Sequence, residues 1–124
     1  MPGDIDPVSR FVRASSYLKT LPKPHHDIEV IAGIDSVIRT ASVPFGAKDT
    51  SGTTTIDGWP TLWFTLSDLT NRIYYFQSTS APYPYWVEFD KLSLVKGSPP
   101  LTIDAHDSSL VGEISEKLKA HPMN

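Results

Sequence analysis

The side chains of this sequence that are able to do chemistry are scattered rather than clustered. His25-His26-Asp27 offers two imidazoles and a carboxylate, the donor types of a zinc site. Neighbouring histidines point in different directions, however, and at a helix start such residues are expected to cap the helix and face water. His106 lies between Asp104 and Asp107 in a polar stretch and is expected to be solvated. Serines, histidines and aspartates are plentiful, yet no Gly-x-Ser-x-Gly elbow exists to raise a serine for a Ser-His-Asp triad. Neither a Gly-x-Gly-x-x-Gly turn nor a phosphate loop occurs. Asp49-Thr50-Ser51-Gly52 lacks the apolar flanks of an aspartic protease site and reads as a turn. The 124 residues contain no cysteine, which removes disulfides and thiolate metal sites. No metal or cofactor is therefore expected. What remains is a pair of arginines one turn apart, Arg10 and Arg13, whose guanidinium groups are fixed cations with a rigid fork of donors.

The element that must position those arginines is a helix from Pro7 to Thr20. Asp6 can accept from the first free backbone N–H groups, and Pro7 sits where a missing N–H costs nothing. Val8, Phe11, Val12, Ser15 and Leu18 share one face at about 100° per residue, and Arg10, Arg13 and Tyr17 point the other way. On periodicity alone the stripe faces the core and the arginines are solvated. Pro22 and Pro24 close the helix. Asp27 is expected to cap a second helix, Ile28 to Thr40, with Ile28, Ile31, Ile34, Val37 and Ile38 on a broad apolar face and Pro44 beyond its end.

Gly46 to Gly58 is polar and turn-rich and reads as a loose loop. Strand character follows. Leu62, Phe64 and Leu66 alternate with polar neighbours over Thr61 to Ser67. Asp68 to Asn71 makes a turn, with Asn71 suited to a positive φ. Arg72 to Thr79 is β-branched and aromatic on both faces, and Tyr85 to Phe89 returns after the Ala81–Pro84 turn with Tyr85, Val87 and Phe89 on one side. After Lys96 the run Gly97-Ser98-Pro99-Pro100 is linker-like, followed by a short strand at Leu101 to Ile103 and a short helix near Glu113 to Ala120.

Ser9-Arg10-Phe11-Val12-Arg13, preceded by Pro2-Gly3-Asp4, closely resembles a segment of the choloylglycine hydrolase family, the linear amide C–N hydrolases that include bile salt hydrolases and penicillin V acylases. Tyr17-Leu18-Lys19 with Leu21-Pro22-Lys23-Pro24, Ser36-Val37-Ile38-Arg39, Ser42-Val43-Pro44-Phe45-Gly46, Thr61-Leu62-Trp63, the run from Asp68 to Phe76, and Trp86-Val87-Glu88 are similar to it in the same order. The resemblance covers most of the chain but only about the last third of a family member. It implies an α+β fold, the C-terminal part of the αββα sandwich of N-terminal-nucleophile hydrolases, with two helices packed on an antiparallel meander in one domain over 1–124 whose 97–124 tail is the least defined part. It implies hydrolysis of an acyl-glycine, acyl-taurine or penicillin amide in the complete enzyme by a cysteine at the mature N-terminus. It also implies that Arg10 reaches the active site, where a fixed cation orients the nucleophile's surroundings and stabilises developing negative charge. Arg13 reads as structural. With no cysteine present and Met1, Pro2 and Gly3 leading, the chain is expected to be cut off from its nucleophile and inactive by itself.

The formal charge of −3 and the lack of a basic stripe exclude non-specific nucleic-acid binding, and no apolar run reaches the length of a membrane span. A soluble protein of the bacterial cytoplasm or periplasm is the expectation that the resemblance adds. Trp63, Tyr74, Phe76 and Trp86 are more aromatic surface than two helices cover, so a homo-oligomer is expected, and a non-catalytic self-associating domain is the alternative function.

Overall fold

The computed structural model describes residues 3–47 and 59–121, so most of the expected 46–58 loop, including Asp49-Thr50-Ser51-Gly52, lies outside the described residues. Two compact units make up the chain, Met1–Thr61 and Leu62–Asn124.

The first unit holds helices α1, Pro7–Thr20, and α2, Asp27–Thr40. Asp6 caps α1 as expected, its Oδ1 accepting from the N–H groups of Val8 at 2.9 Å and Ser9 at 3.0 Å. The helix stops at Leu21 (φ −56°, ψ 133°), the extended conformation that a following proline imposes. In α2 the cap position belongs to His26, not Asp27, and His26 makes no side-chain cap bond. The Glu29 carboxylate instead reaches back past the cap to accept from the His25 N–H at 2.7 Å. Val37 is buried and Ile31, Ile34 and Ile38 are half-buried, as the pattern of α2 requires, whereas Ile28 at its start is exposed.

The faces of α1 correct the expectation from periodicity. Val8 is 71% and Phe11 72% exposed, and Val12 and Leu18 are exposed with them, while Arg10, Arg13 and Ala14 are half-buried. The apolar stripe is real; it is simply not the buried side.

The second unit is a four-stranded sheet of order β1-β2-β3-β5, built from β1 (Trp63–Asp68), β2 (Ile73–Ser78), β3 (Tyr85–Glu88) and β5 (Gly112–Glu113), with a small β4 (Leu101–Thr102) and β6 (Lys119–Ala120) ribbon beside it. The β1-β2-β3 meander is antiparallel, and Thr65, Phe76 and Tyr85 lie abreast in register, as do Ser67, Tyr74 and Val87. The expected aromatic quartet is split by this register: Trp63, Tyr74 and Phe76 share one face, and Trp86 stands on the other, its ring centre 5.7 Å from that of Tyr75. Phe89 leaves the strand for a 3-10 turn, Phe89–Lys91. Positive φ falls on Arg72 (φ 56°) rather than Asn71.

The expected helix near Glu113–Ala120 is absent; those residues form β5, a 3-10 turn at Ser115–Lys117, and β6. β5 runs parallel to β3, with the Gly112 N–H on Pro84 O at 3.1 Å and the Ile114 N–H on Trp86 O at 3.0 Å. Gly112 (φ 74°) supplies the left-handed entry into β5, and Gly97 (φ 91°) does the same for the turn closed by the Ser98 N–H on Val95 O. Beyond the exposed run 97–100, the tail builds the core: Leu110 and Ile114 close over Tyr85, with Phe76, Val87 and Ile103 packed around them. Burial raises the pKa of the Tyr85 phenol.

A polar latch lies alongside. Glu113 accepts from the Ser115 N–H at 2.7 Å and faces Lys91 Nζ at 3.0 Å, and Lys91 also meets Glu88 at 3.1 Å. The hydrogen bonds from Ser115, then the Lys91 ammonium, hold the Glu113 carboxyl at about 2, down from 4.5. A depressed carboxyl contributes stability above its unfolded pKa and loses it as pH falls through the folded one. Thermal melts are therefore expected to lose part of their stability between pH 4.5 and about 2, and Glu113→Gln is expected to flatten that portion of the profile. An unchanged profile in the variant would remove the latch from the account.

Candidate functional site

Arg10 and Arg13 occupy the inward side of α1. Arg13 is tied to two other segments: Nη1 donates to the Asp4 carbonyl at 2.6 Å and Nε to the Thr40 carbonyl at 3.1 Å. Its structural role is thus plain in the geometry. Arg10 differs. Its Nε is a buried polar atom with no hydrogen-bond partner among the described residues. The backbone beneath it is regular, the Arg10 N–H closing the first turn on Asp6 O at 3.1 Å. A guanidinium N–H shut away from water without an acceptor is unusual, because such a group normally pairs or turns to solvent.

The other residues singled out from sequence do not gather around Arg10. His25 and His26 are exposed at the start of α2. His106 is exposed; its N–H donates to Asp104 Oδ1 at 2.9 Å, and Asp107 Oδ1 accepts from the Ser109 N–H and hydroxyl. No group of three or more potential metal ligands occurs among the described residues. One cleft of about 550 Å³ lies between α2 and the Leu21–Pro24 segment, with Val30, Ile34, Lys23 and Glu29 among its lining residues. A second, of about 460 Å³, opens in the sheet unit among Tyr74, Val87, Phe89, Leu94 and Leu101. Arg10 lines neither. The carbonyl partners of Arg13 were beyond a local pattern, since Thr40 is 27 residues away.

Two helices and an antiparallel-rich sheet with an arginine-bearing first helix define an α+β unit of the N-terminal-nucleophile hydrolase fold. The chain belongs to the linear amide C–N hydrolases, choloylglycine hydrolase family, whose pattern it matches over residues 1–110. It is 30% identical over 109 residues to a penicillin V acylase of Pectobacterium atrosepticum, a match covering 75% of this chain and 27% of that protein. The solved structure of penicillin V acylase from Agrobacterium tumefaciens superposes with a TM-score of 0.81 at 31% identity, covering 98% of this chain and 39% of that one. The chain thus spans only about a quarter to two-fifths of these relatives. Among the described residues no helix is long and apolar enough to cross a membrane.

Proposed function

We propose that these residues are the C-terminal portion of a linear amide C–N hydrolase acting on substrates of the penicillin V or conjugated bile salt type, with Arg10 as its active-site cation. The observation that carries this reading is the Arg10 Nε, buried and without an acceptor on the helix that bears the family's Ser9-Arg10-Phe11 segment. In the complete enzyme a cysteine thiolate attacks the amide carbon, the tetrahedral oxyanion collapses and expels the amine, which takes up a proton, and water then cleaves the thioester to the acid and frees the thiol. A preorganised guanidinium stabilises the charge that develops in those steps. The family match and the two penicillin V acylases support the substrate class.

No thiol is available within the 124 residues. The purified chain is therefore expected to release no amine from penicillin V or from glycine- and taurine-conjugated bile salts. Joined to the remainder of the Agrobacterium tumefaciens acylase, it is expected to turn over. Hydrolysis by the chain by itself would point to another nucleophile, and a folded but inactive hybrid would sink the assignment.

A second reading, a self-associating non-catalytic domain, is favoured by the outer strand. Among the described residues β1 is paired only with β2, and Trp63 on it is 55% exposed. Two copies pairing along β1 would bury both, the two-fold arrangement commonest among oligomers. Sedimentation at high micromolar concentration is expected to show a dimer that Trp63→Lys dissociates; a strictly monomeric profile of the unaltered chain rejects it.

A further inference from the structure

We propose that Arg13 is the positioning residue of Arg10, a clamp that fixes the roll of α1 and with it the place of the Arg10 fork; the proposal rests on the reading of Arg10 as the active-site cation. The Arg13 guanidinium joins three pieces of chain. It sits on α1, its Nη1 reaches the Asp4 carbonyl ahead of that helix at 2.6 Å, and its Nε reaches the Thr40 carbonyl at the end of α2 at 3.1 Å. The Thr40 carbonyl is open to it because the amides beyond α2 go elsewhere, Ala41 N–H to Ile38 O at 3.0 Å and Ser42 N–H to Arg39 O at 3.2 Å. A cation there also meets the negative end of the α2 dipole.

One planar group bonded at two separate points sets a rotation as well as a distance, which a lysine ammonium does not. Rotation is what Arg10 needs. The two arginines are neighbours at i and i+3 on one side of α1, and their like charges favour splaying apart. An unpartnered Nε–H is unfavourable where it stands and would swing to water if α1 were free to roll. The apolar stripe of α1 gives no opposing hold, since Val8, Phe11 and Leu18 are exposed. Among the described residues the carbonyl clamp of Arg13 supplies that hold.

The test is side-chain hydrogen exchange in the full chain, with the arginine Nε–H resonances followed by nitrogen-edited NMR in the unaltered protein, Arg13→Gln and Arg13→Lys. The clamp predicts that Arg10 Nε–H exchanges on the order of tenfold faster in Arg13→Gln, the equilibrium worth of one such hydrogen bond, while the amides of Val37 and Tyr85 keep their rates. Arg13→Lys, keeping charge without the fork, is expected to recover only part of the protection. Equal acceleration at all sites, or no acceleration at Arg10, overturns the proposal. If neither variant folds, Arg13 is a folding residue and the positioning role is likewise rejected. Failure of the clamp is read in the chain by itself, whereas failure of the Arg10 reading is read in hybrid turnover, so the two are separable.

Discussion

In a hybrid enzyme carrying this chain in place of the matched part of the Agrobacterium tumefaciens acylase, Arg10→Ala is expected to lower kcat on penicillin V by about 10²–10³, with KM changing far less. The size follows from what a single preorganised donor to a developing oxyanion is worth. The split between kcat and KM follows from a cation whose contact strengthens only as charge develops. Arg10→Lys keeps the charge but loses the fork and the buried Nε–H, and is expected to fall between the two. Pre-steady-state measurement of thioester formation checks the assignment at the step concerned. A folded Arg10→Ala hybrid with unchanged kcat would remove Arg10 from the chemistry and leave its buried Nε as a packing feature.

The bounds of α1 were legible because each end has a strong local signal, Asp6-Pro7 at the start and Pro22 after Leu21. The meander was legible for a similar reason: apolar alternation and turn residues bracket β1, β2 and β3 to within one or two positions. Periodicity failed at the next question, which is what a face meets. It grouped Val8, Phe11, Val12 and Leu18 correctly, but it assumed that the apolar side is the buried one. The inward side of α1 is instead the arginine side, where the Arg13 guanidinium finds carbonyls that α2 and the Asp4 segment leave open.

Two smaller departures have local causes. The Asp68 carboxylate takes the backbone N–H and the side-chain amide of Asn71, at 3.0 and 2.8 Å, and the left-handed residue of the turn becomes Arg72. Those same bonds from Asn71 lower the pKa of the Asp68 carboxyl. The tail misled differently. β4 falls within the strand expected at Leu101 to Ile103, but β5 and β6 are two residues each, too short for any period to declare itself. Their pairing is set by partners far along the chain, Tyr85 with Gly112 and Leu101 with Ala120.

That long-range tail carries the second large effect. Ile114→Ala is expected to destabilise the protein by about 2–5 kcal/mol in chemical denaturation, and Ile114→Val by about 0.5–1.5 kcal/mol. Ile114 is 1% exposed and closes over Tyr85 beside Leu110, so its removal leaves a cavity that the short strands around it cannot collapse to fill. The loss falls on a thin core. Among the described residues only Val37, Val43, Tyr85, Leu110 and Ile114 are buried apolar side chains. For a domain with total stability of about 5–15 kcal/mol, one such truncation takes away a large fraction. Polar contacts at the same place do not compensate. The Glu88 N–H on Ser115 Oγ at 2.9 Å and the Ile114 N–H on Trp86 O at 3.0 Å depend on the tail being seated, and Ile114 seats it. Leu94, 68% exposed, serves as the control, with Leu94→Ala expected to fall within about 0.5 kcal/mol of the unaltered protein. A cost below about 1 kcal/mol for Ile114→Ala would mean that the meander holds itself together without residues 110–115, and that the tail is an appendage of the sheet rather than the part that closes its core.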